Sequence, residues 1–142
     1  MDMNQTMLMY CDQCEQTFNG VACTTKGVCG KDPDVESLQK TLIYGLKGLC
    51  AYKHHARKLG KTDPEIEEFI ERALFSTLTN VNFDMEHLLD LVLECGKMNL
   101  KTMQLLNDAH VETFGKPTPV KVKEGIHEGP GILITGHDLY DL

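Results

Sequence analysis

Four of the six cysteines fall within nineteen residues, in the pattern Cys11-x2-Cys14-x8-Cys23-x5-Cys29. A Cys-x2-Cys step can turn two thiolates toward one metal centre, because the two intervening residues form a tight turn. Four cysteines with no paired histidine nearby suit either tetrahedral zinc or an iron–sulfur cluster. Zinc sites commonly use two similar short knuckles. Here the second pair is separated by five residues, a longer wrap that suits the separate corners of a larger object. Spacing leans toward the cluster and leaves zinc open, since both accept four thiolates.

The residues around the cysteines bear on that choice. Gly20, Gly27 and Gly30 free the backbone to approach inorganic sulfides and to donate N–H groups to them, which tunes reduction potential. Lys26 and Lys31 read first as solvated surface, and second as cations that offset the charge of four thiolates. Tyr10 and Phe18 either shield the site from water or pack against the first helix. Cys50 and Cys95 stand among apolar neighbours on helical faces and read as core, the usual place for a free cysteine. His54 and His55 fit a solvated helix end. His87, His110 and His127 have no partner at ligand spacing, and no catalytic residue is assigned anywhere in the chain.

Composition limits the setting. The chain has 142 residues, 42% of them hydrophobic and 25% charged, enough for one ordinary domain with a real core. A net charge of −7, with basic residues scattered among a larger number of acids, argues against nucleic acid as a partner. No apolar run approaches the roughly 18–20 residues that span a bilayer. The start lacks the basic and apolar regions of a signal peptide, so a cytoplasmic location is expected. Structural disulfides are rare in that reducing compartment, which turns clustered cysteines toward metal.

The elements that must position these residues fall into three parts. Residues 1–32 have little apolar periodicity and read as an irregular, cysteine-rich loop shaped by ligation. Residues 33–115 read as three helices, expected near 33–59, 64–79 and 84–113. Asp32-Pro33 and Asp63-Pro64 each place an N-cap before proline at the first helical position. Val35, Leu38, Leu42, Leu46, Leu49 and Ala56 keep to one face of the first helix. Gly45 and Gly48 lie inside it and call for a close neighbour on that side. Ile66, Phe69, Ile70, Ala73, Leu74 and Leu78 form the stripe of the second helix. Met85, Leu88, Leu89, Val92, Cys95, Met103 and Leu106 form that of the third, which Gly96 would bend. Short connections favour an antiparallel three-helix bundle, with Leu42, Leu46, Phe69, Leu74, Leu88 and Val92 buried together. The fold class is therefore mainly α. Residues 116–142 change character: a Pro-containing charged linker leads through Gly129-Pro130-Gly131 to Ile132-Leu133-Ile134-Thr135, a run typical of a strand buried on both faces. It reads as the first strand of an α/β domain that the chain does not go on to supply.

These residues resemble a known family. Met9-Tyr10-Cys11-Asp12-Gln13-Cys14-Glu15-Gln16-Thr17, Ala22-Cys23-Thr24 and Lys26-Gly27-Val28-Cys29-Gly30-Lys31 are similar to the opening of the hybrid-cluster proteins, also called prismane proteins or hydroxylamine reductases. The resemblance continues through Leu42-Ile43-Tyr44-Gly45-Leu46-Lys47-Gly48 and returns at Gly129–Leu139, similar to the entry into the family's first α/β domain. Residues 1–8 precede the family's usual start. The single bundle resembles the compact members, where longer ones have two.

The resemblance implies that Cys11, Cys14, Cys23 and Cys29 hold one [4Fe–4S] cluster, the spacing matching that form in preference to [2Fe–2S]. It implies an oxidoreductase that reduces hydroxylamine or related reactive nitrogen species to ammonia. The catalytic hybrid iron–sulfur–oxygen cluster would then lie outside this chain. These 142 residues would deliver electrons, with the missing catalytic domains and a redox donor protein as partners. His137 sits in a Gly-His-Asp-Leu string for which the resemblance supplies no ligand role. Two other readings stand beside it: a non-catalytic interaction module that binds zinc through the four cysteines, and a stand-alone ferredoxin-like electron carrier.

Overall fold

Asp32, Asp63 and Asp84 each close the start of a helix. The Asp32 carboxylate accepts from the N–H of Asp34, Asp63 from those of Glu65 and Ile66, and Asp84 from those of Glu86 and His87. Each bond satisfies donors that a helix start leaves without partners. In the computed structural model, which describes residues 8–121, 125 and 128–133, the three helices that follow are α1 (Pro33–Lys58), α2 (Pro64–Ser76) and α3 (Met85–Phe114). They agree with the expected spans to within a few residues, α2 being three shorter at its end. Gly60, two residues beyond α1, and Gly115, directly after α3, take positive φ, +79° and +84°, where a side chain would strain the turn.

Successive helices run antiparallel, which leaves α1 and α3 parallel. Lys53 and Arg57, late in α1, pair with Glu67 at the start of α2, Lys53 at 3.1 Å. Arg72, late in α2, pairs with Glu94 early in α3 at 2.7 Å. The core is Leu42, Leu46 and Leu49 of α1, Ile66, Phe69, Ile70 and Ala73 of α2, and Leu91 and Cys95 of α3. Among the described residues there is no strand beyond one isolated pair.

Several expectations fail in detail. Leu74 and Leu78 are 45% and 52% exposed: α2 turns Ile66, Phe69, Ile70, Ala73 and Ser76 inward, and Leu78 lies beyond its end. In α3 the buried line is Leu88, Leu91, Cys95, Thr102 and Ala109, with Met98 and Leu105 packed beside it, while Met85, Leu89 and Met103 are exposed. Val92 is partly buried against the core. A Cβ on Gly45 would stand 3.0 Å from Cys95 Sγ, the close neighbour foreseen, but one on Gly48 would meet nothing within 4 Å. Gly96 does not interrupt α3. Of the tail strand, Ile132 and Leu133 are exposed and outside regular structure. Ile134 and Thr135 lie outside the described residues, as do His127 and His137.

Candidate functional site

The cysteine loop folds against the start of α1 and the segment that joins α2 to α3. Cys11 and Cys23 face each other as an antiparallel pair: each N–H donates to the other's carbonyl, at 3.0 and 2.9 Å. Leu8 and Met9 extend the pairing by donating to the Thr24 carbonyl at 2.9 and 3.0 Å. Cys14 begins a turn closed by the Thr17 N–H, and Cys29 sits in a second turn closed where Gly27 N–H donates to the Lys31 carbonyl at 2.8 Å. Cys11, Cys14 and Cys29 line one cavity with Gln13, Lys31 and Gln39, walled opposite by Leu78, Thr79, Asn80 and Phe83. Cys23 packs against Cys11 beneath it, with Met9. Cys11 and Cys23 are buried; Cys14 and Cys29 are half-buried.

All six cysteines are free thiols. The loop carries four of these thiols, on two short turns and one backbone pair. The cavity lined by Cys11, Cys14 and Cys29 has room for about one water, near 10 Å³. Holding a larger group would require the half-buried Cys14 and Cys29 side chains to turn outward. Among the described residues no three His, Cys, Asp or Glu side chains converge as a single-ion site. The chemistry of the donor set fits a four-thiolate group.

The glycines act differently from the sequence expectation. The N–H groups of Gly20, Gly27 and Gly30 donate to the carbonyls of Thr17, Lys31 and Gly27, at 3.0, 2.8 and 2.9 Å, so they close turns rather than point toward a ligand. At Gly27 a Cβ would fall 2.9 Å from Lys31 Cβ and 3.1 Å from Cys29 Sγ, and only glycine fits. Tyr10 and Phe18 are 45% and 61% exposed. Tyr10 rests under the Lys40 ammonium, 5.5 Å from its ring centroid, and so contacts α1; Phe18 shields nothing among the described residues.

Lys31 is the clearest departure. Expected first as solvated surface, it is 4% exposed. Its Nζ donates to Glu36 Oε2 at 2.5 Å, Gln39 Oε1 at 3.0 Å and Gln13 Oε1 at 3.2 Å. Those amides reach further: Gln13 Nε2 donates to the Thr77 carbonyl at 2.6 Å, and Gln39 Nε2 to the Asn82 carbonyl at 2.9 Å. Burial pulls the lysine pKa down, but Glu36 and then Cys11 outweigh it, and the net shift is upward. One signal in the sequence points here, an acid in the first turn of a helix that begins two residues after the lysine. Lys26, by contrast, is exposed as expected.

The remaining candidates fall where packing places them. Cys95 is buried in the core and Cys50 packs beside it; burial, then the neighbouring Cys50, pushes the Cys95 thiol upward. His54, His55, His87 and His110 are exposed. No described helix is long and apolar enough to cross a membrane.

Comparison with known proteins agrees with the loop. A family model described as Prismane/CO dehydrogenase family matches residues 9–92 and 84–142. The chain is 56% identical over 133 residues to a hydroxylamine reductase of Thermotoga maritima, covering 94% of this chain and 31% of that protein. It is 57% identical over 134 residues to one of Moorella thermoacetica, with the same coverage. With one of Methanothermobacter thermautotrophicus it shares 54% over 131 residues, 92% of this chain and 31% of the other. It therefore spans 31% of the length of these curated relatives, their amino-terminal portion. With the cysteine loop and helix α1 inside the matched residues, the chain belongs to the Prismane/CO dehydrogenase family.

Proposed function

We propose that residues 1–32 hold one [4Fe–4S] cluster through Cys11, Cys14, Cys23 and Cys29, on the bundle of residues 33–115, and serve electron transfer in a hydroxylamine-reducing enzyme. The observation that carries this is the gathering of Cys11, Cys14 and Cys29 around one cavity, with Cys23 paired to Cys11 beneath. Such a cluster supplies one-electron transfer. With four thiolate ligands it is coordinatively closed and offers no open iron to a substrate. Reduction of hydroxylamine to ammonia breaks an N–O bond and consumes electrons and protons. On this reading, a hybrid iron–sulfur–oxygen cluster outside this chain would supply that chemistry. Residues 116–142 are the linker and the start of that α/β part, and the setting is the cytoplasm. The partners are those catalytic domains and a redox donor protein.

The test begins with the chain purified without oxygen and supplied with iron and sulfide. A brown protein with visible charge-transfer absorbance is expected, and each of Cys11→Ser, Cys14→Ser, Cys23→Ser and Cys29→Ser should lower bound iron while Cys50→Ser does not. A colourless chain carrying one equivalent of zinc under those conditions would overturn the reading in favour of an interaction module. Rapid hydroxylamine reduction by the 142-residue chain alone would move the catalytic site into it. In the complete protein, Cys14→Ser should slow turnover with a protein donor more than it changes substrate binding.

A further inference from the structure

A buried ammonium is costly unless its partners are well placed. Lys31 has three: Gln13 in the loop, and Glu36 and Gln39 in the first two turns of α1, with Gln13 and Gln39 tied on to Thr77 and Asn82. The arrangement has a direction. Lys31 and Gln39 line the cavity of the cysteines, whereas Glu36 does not. The positive end of the Lys31–Glu36 pair therefore faces the thiols, and the carboxylate lies behind it, where Lys40 also pairs with it at 3.2 Å.

We propose that Lys31 is an electrostatic positioning residue of the cysteine site, its buried ammonium stabilising negative charge at Cys11 and so at any group the four cysteines hold. This deepens the cluster reading and rests on it. A cation beside the site lowers the free energy of the more negative state, and in a water-poor setting the attraction is weakly screened. One-electron reduction adds a negative charge. Lys31 thus raises the reduction potential of the bound group, and Glu36, behind it, lowers it. A merely structural lysine would make no such distinction, because loss of either partner would only loosen the network.

The experiment compares K31M, K31R and E36Q with the unaltered chain, each reconstituted with iron and sulfide and titrated potentiometrically, with circular dichroism reporting the fold. K31M should lower the reduced-to-oxidised ratio at a fixed poise at least tenfold, about 59 mV for one electron. E36Q should raise it, and K31R should stay near the parent. Shifts of K31M and E36Q in the same direction, or no shift in either, would overturn the proposal. If K31M does not fold, E36Q decides alone: its glutamine still accepts from Lys31, and its potential must rise. If the parent chain takes up no cluster, the cluster reading has failed separately. Cobalt(II) affinity then judges Lys31: K31M binding at least tenfold more weakly and E36Q more tightly supports it, and equal affinities overturn it.

Discussion

Gly45 and Gly48 stand one helical turn apart in α1 and should respond to the same substitution with opposite signs. Glycine inside a helix costs about 0.8–1 kcal/mol relative to alanine. At Gly48 an added Cβ meets nothing within 4 Å, so G48A should stabilise the chain by about that amount. At Gly45 it lands 3.0 Å from Cys95 Sγ, well inside the roughly 3.5–4.0 Å of a relaxed contact. Cys95 is 4% exposed and packed in the same core as Leu42, Leu46 and Leu91; an open cavity borders it and Gly45, so its sulfur gives way only by leaving those core contacts. Overpacking of this kind costs about 1–3 kcal/mol, which exceeds the propensity gain. G45A should therefore be destabilised by about 0–2 kcal/mol, leaving about 1–3 kcal/mol between the two variants. Urea unfolding followed by circular dichroism, with reductant and chelator present throughout, measures both midpoints, and the comparison holds if the slope m is unchanged. In a C95A background the sulfur is gone, and G45A should become stabilising. Equal stabilisation by G45A and G48A, or no rescue by C95A, would refute the reasoning.

Three further outcomes are expected. Lys101, followed by the backbone N–H groups of Ile66 and Glu65, holds the Asp63 carboxyl below its usual value of 3.8. The ionised form thus contributes stability that is present above the unfolded-state value and lost as pH falls through the lower folded one. D63N should differ most from the parent near neutrality and converge with it below about pH 4 in thermal melts, and D63A should lose about 0.5–2 kcal/mol at neutral pH from the cap. Burial, with Cys50 beside it, raises the Cys95 thiol; timed alkylation of the native chain read by mass spectrometry should find Cys95 slow at a pH where the half-buried Cys14 and Cys29 react, and faster labelling of Cys95 would mean that it is not core. G27A should abolish iron uptake while leaving helical content unchanged, since its Cβ would press on Cys29 Sγ and Lys31 Cβ; normal iron loading would show the turn to be tolerant.

The helix starts were legible because they rest on local chemistry. Asp followed by Pro at 32–33 and 63–64 specifies a cap and a fixed φ without reference to anything distant. The inward faces were less legible. Helix α3 carries apolar residues on more than one side, with Leu89, Leu93, Leu100 and Met103 exposed opposite a buried line of Leu88, Leu91 and Cys95. A period of 3.6 cannot choose between two stripes; only the position of α1 does. The gathering of Cys11, Cys14 and Cys29 around one cavity was readable from their spacing. Lys31 was not, because its burial depends on Glu36, Gln39 and Gln13 closing around it, and a lysine between glycine and aspartate otherwise reads as surface.

The Gln13 amide bonds the carbonyl of a residue sixty-four positions later, Thr77, and this has a consequence for biosynthesis. The four cysteines leave the ribosome before the wall opposite them, formed by Leu78, Thr79, Asn80 and Phe83, which emerges only after α1 and α2 are complete. Contacts so distant along the chain form late, after the loop-closure entropy between them has been overcome. During that interval the thiols are exposed without their cavity, open to oxidation and to stray metal ions. On the cluster reading proposed above, correct loading of the loop is therefore a matter of timing as well as affinity, and slowing translation just before residue 83 should lengthen the vulnerable period.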